Sequence, residues 1–521
     1  MKRIFNVAGP CQPQQHYMVE MVKAQRDVMA LIEQNQYFVI HAARQTGKTT
    51  LLMSMVRELT QRGDYYALYC SLESVQQIDD PREGLPAIVR KLVQQIKYHP
   101  LLKQYPFATT ANFADFTNIL QDSLTQFCGQ LDKPLVILFD EVDCLSNGTL
   151  ISFLRQLRDG YVNRVQQIPF VHAIALVGMR NIRDYKGKIR EERETLGSAS
   201  PFNIVTESLG LRNFSREEVT EFYNQHTTET GQVFSEAVID EIYHYTQGQP
   251  WLVNALAREI IVKELENDFS QTIEVVHVAA AAQNIIKQRA THIDSLMERL
   301  KEARVQEIIE PLILGEERGY DVTNDHYQYV LDLGLIKEEA GRVIPSNPIY
   351  AEVIIRTLSY QTQMALGYIP TLRELPSYLQ AGQLDMRELL GNFQTFWREN
   401  SEMWVERYQY KEAAPHLILQ AYLQRVINSG GRLTREMALG AGRLDLCLYY
   451  GAGVYPIELK IRYNEQSYVR GVAQLQGYMA RLGCAEGWLV VFDRRAKISW
   501  KKKLFWRTEG VAGQRVHVVG C

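Results

Sequence analysis

The sequence predicts a multidomain α/β protein: a parallel sheet wound with helices, then a helical module, a winged helix, and a C-terminal domain in the order αβββαβ. Three observations carry this. Short apolar runs alternate with helical periodicity between Tyr37 and Val177, the pattern of parallel strands joined by crossover helices. The strand signal then disappears from about Glu207 to Lys287. After a helical stretch at His416–Ile427, short strands separated by glycine-rich turns return. With 521 residues and roughly 100 to 200 residues per domain, three or four domains are expected.

Composition narrows the class. Hydrophobic residues make up 46% and charged residues 22%, which supplies packed cores and gives no sign of an extended disordered tract. The longest apolar runs, such as Leu135–Phe139, fall far short of the ~20 residues a membrane-spanning helix needs, so no membrane is expected as partner. Met1–Gln15 lacks the apolar core of a secretory leader, and the expected location is the cytoplasm. Seven scattered cysteines without a CxxC pair indicate neither a zinc site nor a disulfide framework. Residues 431–521 hold fifteen Lys and Arg against seven Asp and Glu, a net +8, whereas the remaining residues sum to −11. A basic C-terminal module on an acidic body is expected to meet a polyanion, nucleic acid first, although solvated lysines give a similar count.

Taken in order, Tyr37–His41 is an apolar run followed by Ala42–Thr50 and then by helical spacing over Leu51–Leu59: strand, loop, helix. Further strands are expected at Tyr65–Leu72, Leu135–Phe139 and Phe170–Val177. Turn chemistry at Gly231 and Gly248-Gln249-Pro250 interrupts the helical module. Helices ending in Leu335–Ile344, two short strands about Gly341, predict a winged helix, with Asp325–Leu333 as its recognition helix. Acidic neighbours argue against direct DNA contact there. Ser359–Asn392, with Pro370 and Pro376, reads as a connector. The expected boundaries are 1–206, 207–287, 288–358, 359–396 and 397–521.

The loop matches the P-loop pattern GxxxxGK[ST] except that Ala42 stands at its first glycine. In such a loop backbone N–H groups cradle phosphates, lysine reaches the β and γ oxygens, and a hydroxyl ligates magnesium. The assignment gives Ala43, Arg44, Gln45, Thr46, Gly47, Lys48, Thr49 and Thr50 to ATP, with Thr49 on Mg²⁺. The strand Leu135–Phe139 runs into Asp140 and Glu141, placing Asp140 beside the metal and Glu141 where it can polarise water. HAARQTGKTT, ILFDEVD, Gly178–Asp184 and TQGQPWLVNAL together resemble the AAA+/STAND class of P-loop ATPases over roughly Phe5–Leu358. That resemblance implies nucleotide contacts from the lid through Pro250, a sensor at Arg180 and Asn181, and oligomerisation with no arginine finger that can be nominated. His16-Tyr17-Met18 lies where adenine binds in such proteins, or packs as core.

In the last domain Asp445 precedes Glu458-x-Lys460 on successive expected strands. Period-2 geometry puts Glu458 and Lys460 on one face, with Asp445 available from the neighbouring strand. Two carboxylates holding Mg²⁺, or alternatively Mn²⁺, beside a lysine suit phosphodiester cleavage. An exposed ion pair on an edge strand is the plain alternative. AGRLDL and PIELK resemble the core motifs of the PD-(D/E)xK nuclease superfamily, a restriction-endonuclease-like fold, over about Glu402–Phe492. The resemblance implies a following-helix glutamine at Gln474 and a first-helix residue at either Glu412 or Gln420, with Glu436 also able to face the site. Arg494–Arg507 interleaves cations with aromatics, suited either to phosphate tracking with base stacking or to ring packing against the domain. The whole-chain architecture resembles ATP-binding proteins of mobile elements or antiphage defence. The expectation is an ATP-hydrolysing protein controlling a Mg²⁺-dependent nuclease acting on DNA, as a homo-oligomer or with a partner protein. Two further readings stand beside it: a nucleotide-controlled switch whose C-terminal fold binds without cutting, and an ATP-driven remodeller.

Overall fold

A computed structural model of the chain describes residues 2–107, 116–179, 207–288, 291–313, 324–366, 378–380, 383–407, 414–428, 432–434, 446–462, 465–493, 495, 498–511 and 513–521. The chain forms two compact units, residues 1–287 with 332–334, and residues 288–331 with 335–521.

In the first unit, strands β1 (Tyr37–His41), β2 (Tyr66–Ser71), β3 (Leu135–Asp140), β4 (Ala173–Gly178) and β5 (Glu207–Gly210) form one parallel sheet. Their order is β2-β3-β4-β1-β5. Every residue of β3 and β4 is buried, as a parallel sheet covered on both faces requires. Alternation divides the side chains between two cores. Phe38, Ile40, Val136 and Leu138 pack with Val28, Leu52 and Met55 from helices α1 (Val22–Glu33) and α2 (Lys48–Arg62). Tyr37, Val39, Ile137 and Phe139 face the opposite core, with Leu92 of α3 (Pro81–Tyr98) and Phe153 of α5 (Asn147–Asn163); α4 (Ile119–Cys128) completes that layer.

The structure differs from the sequence reading at β5, which lies where helices alone are expected. Glu-Ser-Leu-Gly offers no apolar run and is exposed or half-buried throughout. It is a strand because its backbone pairs with Phe38–His41 of β1, a tertiary cause that periodicity does not carry. Helices Arg216–Thr230, Glu236–Thr246, Pro250–Arg258 and Val275–Lys287 follow. Ser215 and Glu218 form a capping box at the first of them. Gln249 caps the third, with Pro250 at its first position.

In the second unit, three helices (Thr291–Arg299, Ala303–Ile313 and Asp325–Asp332) precede an antiparallel hairpin of β6 (Ile336–Glu339) and β7 (Arg342–Pro345). The described residues of the stretch read as a connector include regular elements. Helix Pro348–Leu366 runs into it, β8 (Leu379–Gln380) pairs with β9 (Gln383–Leu384), and helix Met386–Arg407 begins inside it. Pro370 and Pro376 lie outside the described residues. After helix Ala414–Asn428 come β10 (Arg432–Thr434), β11 (Leu446–Tyr450), β12 (Gly453–Arg462), helix Glu465–Leu482 and β13 (Glu486–Asp493). The short helix Trp500–Lys503, β14 (Phe505–Val511) and β15 (Gln514–Gly520) close the chain.

These six strands form a mixed sheet, β10-β11-β12-β13-β15-β14. The first three pair antiparallel, while β12, β13 and β15 run parallel. One face carries Leu446, Leu448, Ile457, Leu459 and Val490 against Phe393, Ile418 and Tyr422. The other carries Cys447, Leu489, Val491 and Val518 against Leu475 and Met479 of helix Glu465–Leu482. Ring packing accounts for the aromatics of the basic C-terminal stretch. Trp500 and Trp506 pack on the first face and Phe505 on the second, and Trp506 Nε1 donates to Gln394 Oε1 at 2.5 Å. Among the described residues no helix is long and apolar enough to cross a membrane.

In the first unit the partly or fully buried His41, His99, His172 and His226 are each kept below the ordinary value of 6.5 chiefly by burial. Each pairs while neutral: His41 with Ser208 Oγ, His99 with Ala67 O, His172 with Ile32 O, and His226 with Tyr17 OH and Gln232 Oε1. With folded-state values depressed, the unfolded chain binds more protons as pH falls through about 6.5, so this stability is present above that pH and lost below it. The melting temperature of the full chain is expected to fall steeply between pH 7 and pH 5. A flat profile over that range would contradict the argument.

Candidate functional site

The loop between β1 and α2 is built by backbone conformation. Gly47 adopts φ +92° and Gln45 φ +58°. That left-handed backbone at Gly47 calls for glycine. Gly47 leads directly into α2, so the helix N-terminus opens on the loop. Ala42, at the position of the pattern's first glycine, is buried. Its carbonyl accepts from Lys48 Nζ at 2.8 Å, and the Ala43 carbonyl does so at 2.9 Å. Thr46 Oγ1 donates to Ala43 O at 2.8 Å, closing the loop on itself. Arg44 and Gln45 are exposed on its outer side. Burial pulls the Lys48 ammonium below its ordinary value, opposed by the charges of Glu141, Asp143 and Asp140.

Asp140, the last residue of β3, is 1% exposed. Three donors meet its carboxylate. Thr49 Oγ1 reaches Oδ2 at 2.7 Å, Tyr69 OH reaches Oδ2 at 3.1 Å, and Glu141 N–H reaches Oδ1 at 3.0 Å. A hydroxyl and a carboxylate converging from the loop helix and the neighbouring strand end form an oxygen donor pair that fits a magnesium ion. Glu141 sits at φ +56°. Its carboxyl is pushed above the ordinary range by burial, then by Asp143 and Asp140, against the pull of Lys48 and Arg44. Asp143 Oδ2 accepts from Met179 N at 3.3 Å, tying this acidic turn to the end of β4.

The lid reaches the loop through Gln249, whose Nε2 donates to Gln45 O at 3.4 Å. Pro250 is buried and serves as the first residue of its helix. Gly248 has φ +70°, and a Cβ there would lie 1.9 Å from Phe214 O. Tyr17 is core: its ring packs on Phe5, and its hydroxyl donates to Glu229 Oε2 at 3.1 Å. Beside the loop helix, a cavity of about 490 Å³ is bordered by Met18, Met21, Thr50, Ser54 and Gln225, a size suited to a small-molecule ligand. Arg180 lies outside the described residues. Tyr69 and Gln249 escaped the sequence reading; Tyr69 sits on β2, whose residues carry no motif, and Gln249 looked like part of a turn.

In the C-terminal domain Glu458 is 0% exposed. It forms an ion pair with Lys460 Nζ at 2.7 Å on the same face of β12. Helix Glu465–Leu482 packs over this pair closely enough that a Cβ on Gly471 would meet Lys460 Cγ at 2.9 Å. Gln474 lies one turn further along that helix, and its Oε1 is buried with no hydrogen-bond partner among the described residues. Gln420 is buried on helix Ala414–Asn428. Asp445, Glu436 and Glu412 lie outside the described residues. Leu446, the chain neighbour of Asp445, pairs with Ile457, the chain neighbour of Glu458. Among the described residues no group of three His, Cys, Asp or Glu gathers as a metal site.

A parallel sheet with a strand–loop–helix phosphate cradle and a carboxylate at the adjacent strand end defines a P-loop ATPase-like protein. The chain belongs to the AAA-like domain family, whose pattern matches residues 7–355. A WD repeat-containing protein of Synechocystis sp., itself uncharacterized, is 22% identical over 381 residues. That match covers 69% of this chain but 30% of the relative, so the chain spans less than a third of that protein's length. Among solved structures, the Walker-type ATPase of Pyrococcus abyssi superposes with a TM-score of 0.47 at 14% identity, covering 67% of this chain and 99% of that one. The Aeropyrum pernix ORC2 protein gives 0.41 at 15% identity, covering 66% and 93%. The Thermotoga maritima RuvB Holliday junction branch migration motor gives 0.34 at 12% identity, covering 64% and 95%.

Tyr69→Phe removes one of the donors that orient Asp140. It is expected to raise the Mg²⁺ concentration needed for nucleotide binding by about 10-fold, the usual effect of losing a partner behind a metal ligand. Titration calorimetry with ATP at a series of Mg²⁺ concentrations measures this, and affinity without metal should be unchanged. Gly248→Ala combines a left-handed backbone with a clash against backbone, and is expected to cost roughly 3 kcal/mol, read by denaturant unfolding of the full chain.

Proposed function

We propose that this chain is an ATP-binding and ATP-hydrolysing switch controlling a Mg²⁺-dependent nuclease, acting on DNA in the cytoplasm in defence against phage or mobile elements. In the ATPase, Lys48 leaves the loop carbonyls for the phosphates. The backbone of Ala43–Thr50 cradles those phosphates, and Thr49 with Asp140 would hold Mg²⁺. Glu141 orients the attacking water, Arg180 senses the γ-phosphate, and Gln249-Pro250 carries the nucleotide state into the lid. A bound Mg²⁺ supplies charge neutralisation on the phosphate oxygens. Self-assembly, or a partner protein, completes the site.

The nuclease part rests on Glu458 and Lys460, paired at 2.7 Å on one face of β12 beneath a helix. Helix, three antiparallel strands, helix and a parallel strand surround that pair, which supports a restriction-endonuclease-like reading. The Gln474 oxygen, buried on helix Glu465–Leu482 with no hydrogen-bond partner among the described residues, supports a polar ligand there. Asp445 and Glu458 would hold Mg²⁺ or Mn²⁺, a metal that there activates water and stabilises the leaving oxygen. Lys460 steadies developing charge and Gln474 positions the strand.

One observation favours a second reading. The Glu458 carboxylate is engaged by Lys460, and among the described residues no group of three His, Cys, Asp or Glu gathers there, which suits a domain that binds nucleic acid or protein without cutting. A cleavage assay on plasmid DNA, single-stranded DNA and RNA with Mg²⁺ or Mn²⁺, with and without ATP, separates the two. Lys460→Ala is expected to abolish cleavage by at least 100-fold while leaving ATP hydrolysis intact, and Lys48→Ala to abolish hydrolysis and the ATP dependence of cutting. Cleavage that survives in Lys460→Ala would remove the nuclease assignment.

A further inference from the structure

The acidic turn after β3 carries a carboxylate, Asp143, to which the ATPase reading gives no role. β4 lies between β3 and β1 in the sheet. Its ladder with β3 ends at Leu176, opposite Phe139, whereas its ladder with β1 continues to Gly178, opposite His41. β3 itself stops at Asp140, and the Asp143 side chain takes over where the strand ends: Met179 N–H donates to Asp143 Oδ2 at 3.3 Å. On the other side of β4 the Gly178 carbonyl accepts from Ala42 N–H, also at 3.3 Å. Gly178 C=O and Met179 N–H belong to one peptide group, which is planar and nearly rigid. A single plane therefore joins the first residue of the phosphate loop to the turn that carries Glu141.

Glu141 needs such a support. Its φ of +56° is a left-handed conformation that a residue with a side chain keeps only where its surroundings enforce it. Its own N–H is bound by Asp140 Oδ1, and its carbonyl accepts from Cys144 N–H at 3.0 Å. Burial and neighbouring charge act on the Glu141 carboxylate, with no hydrogen bond among them, so its aim is set by the backbone beneath it. Asp143 in turn is fitted closely to the end of β4. A Cβ on Gly178 would lie 2.8 Å from Asp143 Oδ1 and 3.3 Å from its Cβ, so the glycine admits the carboxylate against the strand end. Oδ1 is buried with no hydrogen-bond partner among the described residues, which leaves the Oδ2 bond to Met179 as the hold of this side chain on β4.

We infer that Asp143 is a positioning residue for ATP hydrolysis: through the Gly178–Met179 peptide it fixes the distance between the phosphate loop and Glu141, and with it the aim of Glu141 at the attacking water. This rests on the reading of the first unit as an ATPase in which Glu141 orients water. In this role Asp143 touches neither nucleotide nor metal.

The test is steady-state ATP hydrolysis by the full chain with Mg²⁺, with ATP affinity measured in parallel by titration calorimetry. Asp143→Ala removes the acceptor and is expected to lower kcat about 30-fold, within the ~100-fold that a misplacement of about 1 Å costs. KM and ATP affinity should stay within about 3-fold of wild type, the mark of an interaction that serves the reaction rather than binding. Asp143→Asn keeps an oxygen for Met179 N–H, and its amide nitrogen forfeits no bond at the Oδ1 position; kcat should return to within about 5-fold of wild type. Gly178→Ala leaves Asp143 in the chain but pushes its carboxylate off the strand end, and is expected to reproduce the kcat loss. That variant keeps the test readable where Asp143→Ala melts early. Wild-type kcat in both alanine variants overturns the inference. So does a loss in Asp143→Asn equal to that in Asp143→Ala, which would make the charge rather than the hydrogen bond the active feature, or an ATP affinity that falls as far as kcat. A wild-type chain that binds ATP without hydrolysing it removes the ATPase reading and the inference together. Hydrolysis that is lost in Glu141→Gln but kept in both alanine variants leaves that reading standing and removes the inference alone.

Discussion

Both candidate sites depend on one physical constraint: a carboxylate placed where a sheet has no water to offer it. Asp140 ends a strand whose every residue is buried, and Glu458 lies within β12 at 0% exposure. An isolated charge in such a place costs several kcal/mol, so the surrounding structure has to answer it. Asp140 is answered by three donors from three elements, Thr49 on the loop helix, Tyr69 on β2 and the Glu141 backbone. Their positions follow from the parallel register of β2 and β3, in which Ser71 lies beside Asp140. Glu458 is answered by Lys460, two residues along its own strand. The first solution ties loop, strand and acidic turn into one unit, while the second is local to a strand and its covering helix.

The same economy extends to the lid. Gln249 serves as helix cap through its Oε1 and as loop contact through its Nε2. The N-terminal segment binds the lid helices from the other side: Trp251 Nε1 donates to Val7 O at 2.9 Å, and Asn6 N–H to Asn254 Oδ1 at 3.0 Å. It also meets the loop helix, where the Cys11 N–H donates to Thr50 Oγ1 at 3.1 Å. A nucleotide that moves Lys48 away from the Ala42 and Ala43 carbonyls changes the loop to which Gln249 is bonded. Loop, lid and N-terminal segment are thus joined by named hydrogen bonds.

The parallel sheet was legible in the sequence because its strands are buried on both faces and its loop has a chemical signature. Tyr37–His41 and Leu135–Asp140 are strands in the structure at nearly the positions that apolar runs mark. β5 was not legible, because backbone pairing rather than side-chain pattern makes Glu207–Gly210 a strand. Helix Met386–Arg407 was hidden by the prolines and glycines before it, although Leu389, Leu390, Phe393 and Trp397 mark its buried face. In the sites, motif spacing marks Thr49 and Asp140, and Glu458 and Lys460, and each pair lies together in the structure. The contacts of Tyr69 with Asp140 and of Gln249 with the Gln45 carbonyl could not be read from the sequence, since each forms only when segments distant in sequence lie side by side.

The Glu458–Lys460 pair also bears on why such a sequence exists at all. Its neighbours Ile457, Leu459 and Ile461 are apolar, and helix Glu465–Leu482 closes over it with Gly471 against the lysine stem. A buried ion pair of this kind is seldom more stable than two well-packed apolar residues of the same volume, because desolvation of both charges offsets their attraction. Fold stability would be served as well by an aliphatic pair. What an aliphatic pair cannot supply is a buried oxygen donor and a partly exposed cation held 2.7 Å apart on one face of a strand. The arrangement is therefore one that the stability of the fold does not by itself call for.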